Sequence, residues 1–143
     1  MSRHTAIAYP LTVYYDATCR LCTAEIGAMK ARDAAARLVL VDCSPPDFDA
    51  GPAPRDALMT AIHAVDAAGR VRVGVPAIRA CREAVGLPNG GALLDLPLVA
   101  PLADRAYAAL ARNRQRLPDW LVTLLAGPAA KASRTCADDQ CRL

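Results

Sequence analysis

The sequence predicts an α/β fold in which a four-stranded mixed sheet is flanked by helices and followed by a C-terminal helical extension. Between residues 11 and 86, short β-branched or aromatic runs alternate with helical stretches. Beyond Gly91 the pattern is helical throughout. The chain has about 31 alanines but few aromatics, 4% of its residues, which favours closely packed helices over a β-sandwich.

Length and composition limit the classes of protein that fit. The 143 residues suit one domain, expected at 1–127 with C-terminal helices at about 92–127, followed by a mobile cysteine-containing tail at 128–143. The net charge of +3 is spread thinly, so no nucleic-acid partner is expected. No signal peptide and no apolar run of about 20 residues is visible, so we expect a cytoplasmic protein without a membrane partner.

The first half of the predicted sheet is a parallel pair. Leu11 to Asp16 and Arg37 to Asp42 are strands rich in β-branched residues. Thr18 is a suitable N-cap for the helix between them, whose inner face carries Cys22, Ile26 and Met29. Strands separated by a helix run parallel through a right-handed crossover.

The second half of the sheet is predicted as a hairpin. After a Pro-rich loop and a short helix near RDALMTA, residues 62–74 form two strands around a turn, and a helix runs from Pro76 to Gly86. The order β-α-β-α-β-β-α is that of the thioredoxin fold. Two further helices follow, and the inner face of the first is predicted to carry Leu102, Ala106, Tyr107, Leu110 and Ala111.

The chemistry is expected at Cys19 and Cys22, where the first helix follows the first strand. Residues three apart share a helix face, with Cα atoms about 5 Å apart, which is within disulfide range. A helix N-terminus stabilises a thiolate, so Cys19 is predicted to be the more exposed, lower-pKa nucleophile. Cys22 would resolve the mixed disulfide. Such a dithiol requires no cofactor, and its partners would be protein or small-molecule disulfides and thiols.

The stretch VYYDATCRLCTAEI resembles the motif of the DCC family of predicted thiol-disulfide oxidoreductases, roughly Asp-Gly-x-Cys-x-x-Cys after a strand. RLVLVD, DAAGRVRVGVPAI and AYAALARNRQRL follow in matching order, so the similarity covers most of residues 11–117. The last segment resembles the family's Tyr-x-x-x-Ala-x-Asn-Arg signature through Tyr107, Ala111, Asn113 and Arg114. The resemblance implies a thioredoxin-like fold and dithiol chemistry at Cys19 and Cys22, with Asp16 as the third motif residue. Ala17 replaces the usual glycine, which matters if the turn needs a positive φ.

Two roles fit Asp16. Its carboxylate can accept hydrogen bonds from the turn before the helix, which is a structural role. It can also accept or relay the proton as Cys22 becomes the attacking thiolate. In either role, a carboxylate near Cys19 would raise the pKa of that thiol.

The tail cysteines leave alternatives open. Cys136 and Cys141 could bridge each other, reduce the Cys19–Cys22 disulfide as a tethered second dithiol, or stay inert. They could also join Cys19 and Cys22 in a four-cysteine site, which defines the alternative function, a zinc-binding structural or interaction protein. A third alternative is an interaction module that uses the dithiol only for stability.

The other polar candidates are expected to be structural. Cys43 follows the second strand at the functional edge of the sheet but is predicted to be passive, and Cys81 to lie in the core. His63 is a strand residue without an identifiable partner. No proline stands before the third strand, where thioredoxins carry a cis-proline that faces the dithiol. Four arginines are predicted to lie on a solvated helix face: Arg105, Arg112, Arg114 and Arg116. Of these, Arg114 is expected to dock structurally.

Overall fold

A computed structural model describes residues 6–126, in which four strands form one mixed sheet. The strands are β1 (Leu11–Tyr15), β2 (Leu38–Asp42), β3 (His63–Val65) and β4 (Val71–Val73). Their order across the sheet is β2-β1-β3-β4. β1 runs parallel to β2 with Val13 opposite Leu40, whereas β3 is antiparallel to both β1 and β4. The predicted parallel pair and hairpin are therefore confirmed, and the fold is thioredoxin-like.

The helices of the described residues also follow the predicted order. They are α1 (Arg20–Lys30), α2 (Arg55–Thr60), α3 (Val75–Ala84), α4 (Val99–Asn113) and α5 (Asp119–Ala126), with 3-10 turns at Gly91–Asp95 and Arg114–Arg116. Within residues 6–126, no helix has the length and apolar character needed to cross a membrane. The predicted tail at 128–143, with Cys136 and Cys141, lies outside the described residues.

The main core lies on one face of the sheet, between β1 and the helices α1 and α3. Leu11 and Val13 alternate along β1 and therefore point to the same face, where both are fully buried. They cluster with Ile26 and Met29 of α1 and with small residues of α3, namely Ala77, Ala80, Cys81 and Ala84. On the opposite face, the ring of Tyr14 meets that of Phe48 edge-on, with 6.4 Å between centroids. The predicted core position of Cys81 is confirmed.

Tyr107 attaches α4 to the sheet. Its hydroxyl accepts a hydrogen bond from the Ile62 N–H at 3.0 Å, directly before β3. Its ring packs on Gly74, where the backbone has φ +67° and a Cβ would lie 3.3 Å from the ring. The predicted inner face of α4 is only partly right, because Leu102 and Ala106 are exposed while Tyr107, Leu110 and Ala111 are half-buried.

Arg20 attaches α5 to the start of α1. The Arg20 guanidinium donates hydrogen bonds to the Asp119 carboxylate and, at 3.0 Å, to the Leu117 carbonyl oxygen. The two helices also contact each other. The segment that leads into α5 is therefore fixed to the residue that follows Cys19.

Candidate active site

Asp16, at the end of β1, forms the turn that leads into α1. One carboxylate oxygen accepts hydrogen bonds from the Thr18 N–H at 2.9 Å and from the Thr18 hydroxyl at 2.6 Å. The Asp16 carbonyl accepts the Cys19 N–H at 3.2 Å. Ala17 is not among the residues with positive φ, which are Ala36 and five glycines within residues 6–126. The turn thus accepts alanine where the related motif has glycine, and Asp16 has the predicted structural contacts.

Cys19, rather than Thr18, is the N-cap of α1. Its backbone is extended, with φ −85° and ψ 111°, and its sulfur accepts the Cys22 N–H at 3.3 Å. The thiol therefore occupies the place where a capping serine or aspartate oxygen would satisfy an unpaired N–H of the first turn. This position favours negative charge on the Cys19 sulfur.

The predicted exposures of the two thiols are wrong. Cys19 is fully buried, whereas Cys22 is only half-buried. The reason lies in the register, because α1 begins at Arg20 and an N-cap side chain folds back over the first turn. Both cysteines are free thiols, so the structure corresponds to the reduced dithiol.

The pKa values of the two thiols separate in the predicted direction. Several influences together lower the pKa of Cys19 from 9.0 to about 6, and the largest is a hydrogen bond from the Cys22 side chain. Burial raises this pKa, whereas the Cys22 N–H and Arg114 lower it. Asp16 opposes this effect, as expected from its charge. The same hydrogen bond, together with burial, raises the pKa of Cys22 strongly. These shifts favour the thiolate on Cys19 and the protonated thiol on Cys22.

Arg114 joins the C-terminal extension to the dithiol. Its guanidinium lies 2.9 Å from an Asp16 carboxylate oxygen and 3.8 Å from the Cys22 sulfur, and it also donates to the Met59 carbonyl. Asp16 and Arg114 are almost removed from solvent, with side chains 1% and 13% exposed. The solvated arginine face is confirmed for Arg105, Arg112 and Arg116, which are exposed. Arg114 docks, as predicted, and only the Asn-Arg end of the family signature could have indicated that it docks beside the dithiol.

A small pocket of about 40 Å³ lies beside Cys22. Its polar lining comes from Asp16, Cys22, Glu25, Tyr107 and Arg114, and its apolar lining from α1, α2 and α4. Burial raises the pKa of Glu25, an effect that Arg82 partly offsets. Glu25 was not identified from the sequence, because a single carboxylate on a helix carries no motif.

The remaining candidates have structural surroundings. Cys43 is fully buried, its thiol donates to the Tyr15 carbonyl at 3.0 Å, and burial raises its pKa. His63 is buried with Nδ1 2.8 Å from the Ala61 carbonyl oxygen. Both fit the passive roles predicted for them.

A metal site is not formed by the described part of the chain. No group of three or more His, Cys, Asp or Glu side chains there could hold a metal ion. The alternative zinc site needs Cys136 and Cys141, which lie outside residues 6–126, and it stays a prediction.

A thioredoxin-like sheet with a cysteine pair at the N-terminus of its first helix defines a dithiol protein. Comparison with protein families matches residues 13–120 to the DCC1-like thiol-disulfide oxidoreductase family. The match spans more than half of the chain, which therefore belongs to this family and is an oxidoreductase acting on thiol substrates. Searches of curated proteins and of solved structures found no significant match.

Proposed function

We propose that Cys19 attacks a disulfide of a protein or small molecule and that Cys22 resolves the resulting mixed disulfide. The observation that carries this proposal is the hydrogen bond that the Cys22 N–H donates to the sulfur of Cys19 at 3.3 Å, at the N-terminus of α1. This donor stabilises a thiolate, which is the attacking species in thiol-disulfide exchange.

The reaction balances over two exchanges. The Cys19 thiolate forms a bond to one substrate sulfur, and the other substrate sulfur leaves as a thiolate. Cys22 then loses its proton and attacks the Cys19 sulfur, which releases the second substrate thiolate. The substrate disulfide is reduced by two electrons, and Cys19 and Cys22 become the disulfide.

Asp16 and Arg114 support the dithiol in this proposal. Asp16 holds the turn before Cys19 through Thr18 and anchors Arg114 through an ion pair. Arg114 in turn places positive charge 3.8 Å from the Cys22 sulfur, where a thiolate develops in the second exchange. The cytoplasmic location and the absence of a nucleic-acid partner stay predictions from the sequence.

Trapping experiments test the order of attack. Cys22→Ser should accumulate a mixed disulfide with a substrate disulfide, detected by mass spectrometry, because the attacking thiolate is kept and the resolving thiol is lost. Cys19→Ser should accumulate none on Cys22, and the matched variant Cys43→Ser, which removes a buried thiol outside the pair, should complete the reaction. A mixed disulfide trapped on Cys22 in the Cys19→Ser variant would reverse the assignment.

A further inference from the structure

Glu25 is a half-buried carboxylate less than one helical turn beyond Cys22. Residues three apart on a helix are neighbours, with about 5–6 Å between Cβ atoms. Both side chains line the 40 Å³ pocket, together with Tyr107 and Arg114. Within residues 6–126, the Glu25 carboxylate forms no hydrogen bond or ion pair, so its oxygens are available to a group inside the pocket.

The pocket has room for water. A cavity needs about 10–15 Å³ to hold one molecule, together with two to four polar partners. The pocket measures about 40 Å³, and its lining residues include Cys22, Glu25 and Tyr107, each of which carries a polar group. A water there can link the thiol of Cys22 to the carboxylate of Glu25.

Asp16, the other carboxylate of the pocket, is less suited to take a proton. One of its oxygens accepts two hydrogen bonds from Thr18, and the other is paired with Arg114 at 2.9 Å. Protonation of Asp16 would disrupt these contacts inside a buried site, which is costly. Glu25 has no such contacts to lose among the described residues.

We propose that Glu25 accepts, through a water in this pocket, the proton that Cys22 loses when it attacks the mixed disulfide. This inference rests on the proposed function. The proton passes from the Cys22 sulfur to water, and from that water to Glu25. The Cys22 sulfur bonds to the Cys19 sulfur, and the bond between Cys19 and the substrate breaks. The substrate sulfur leaves with the electron pair of that bond.

The charges around Glu25 set the direction of the pH dependence. The titratable groups that face it are Cys22 on α1, Cys81 and Arg82 on α3, Tyr107 on α4, and Asp16 and Arg114 across the pocket. Burial is the largest influence and raises the pKa of Glu25, while Arg82 lowers it. Glu25 must be ionised to accept a proton, so the attack by Cys22 should slow as the pH falls through this raised pKa.

An aromatic disulfide that releases a coloured thiol at each exchange separates the two steps. The probe is dithiobis(nitrobenzoate), and the protein is the full chain carrying Cys136→Ser and Cys141→Ser, so that the tail thiols do not react. The first release reports attack by Cys19 and depends on probe concentration. The second reports attack by Cys22 and does not. Stopped-flow absorbance over a range of pH gives both rate constants.

Glu25→Gln should lower the second rate constant by about tenfold or more, as expected for the loss of a general base, and leave the first unchanged. The second step should also lose its decline at low pH. Glu83→Gln, which alters the only other glutamate of the sequence at an exposed site on α3, should leave both steps unchanged. Glu25→Asp keeps a carboxylate on a shorter side chain and should retain the low-pH decline at a reduced rate.

The outcomes separate this inference from the function on which it rests. An unchanged second step in Glu25→Gln, in rate and in pH profile, would overturn the role of Glu25 and leave the dithiol mechanism intact. Equal slowing of both steps, with a lower unfolding temperature, would show that Glu25 is structural. A parent protein that releases one coloured thiol and no second would overturn the proposed function itself, and the role of Glu25 with it.

Discussion

Replacing Cys22 with alanine should raise the pKa of Cys19, whereas replacing it with serine should leave that pKa near its value of about 6. The largest influence on the Cys19 pKa is the hydrogen bond donated by the Cys22 side chain. A serine hydroxyl can donate in place of the thiol, but an alanine methyl cannot. The backbone N–H at position 22 and the positive charge of Arg114 stay in both variants.

The size of the effect follows from the strength of this one hydrogen bond. A hydrogen bond to a charged group contributes about 1.5–3 kcal/mol. Since about 1.4 kcal/mol corresponds to one pKa unit, the alanine variant should raise the Cys19 pKa by about 1 to 2. At pH 7, Cys19 would then change from mostly ionised to half ionised or less.

Ultraviolet absorbance of the thiolate measures this titration without requiring access to the buried sulfur. Each variant is compared with the same variant carrying Cys19→Ser, so that the other cysteines cancel. A Cys19 pKa that stays near about 6 in both the alanine and the serine variant would refute the reasoning, because the side-chain donor would then make no difference. A pKa that rises in both variants would show that serine cannot replace the thiol as donor.

Two further predictions concern Arg114 and the tail. Arg114→Gln leaves the Asp16 carboxylate buried without its ion pair, so it should lower the free energy of unfolding by about 3 kcal/mol in urea titrations. The control Arg112→Gln, at an exposed site, should change this free energy by less than about 0.5 kcal/mol. Equal losses for both arginines would contradict the buried pair. Deleting residues 128–143 should leave turnover unchanged, as expected of an inert tail. A fall in turnover with an unaltered single reaction at Cys19 would instead identify a tethered second dithiol.

The fold could be predicted from the sequence because local patterns determine most of it. The β-branched run at Leu11–Tyr15, the turn before Arg70 and the proline at the start of α3 each reflect local preferences of the chain. The parallel pairing of β1 and β2 then follows from the helix between them. The dithiol could also be predicted from the sequence, because Cys19 and Cys22 are only three residues apart.

The parts of the site that were missed depend on contacts between distant residues. The docking of Arg114 was predicted but its partner was not, because Asp16 lies 98 positions away in the sequence. The burial of Cys19 was not predicted for two reasons. The helix begins one residue later than expected, with Cys19 rather than Thr18 as its N-cap. Tertiary packing also contributes to the burial of the side chain. Glu25 faces the pocket only because α4 closes its other side.

The complete burial of Cys19 makes access to its sulfur a separate step from its chemistry. A thiolate without exposed surface cannot meet a disulfide until neighbouring structure moves. The observed rate of attack by Cys19 is therefore its intrinsic rate multiplied by the fraction of molecules in an open state, in which the sulfur is exposed. The segment at 117–119 is held to Arg20, the residue after Cys19, in part by an exposed ion pair that salt weakens. A substrate whose binding favours the open state therefore reacts faster than one whose binding does not, and the burial of Cys19 discriminates between them before any bond is exchanged.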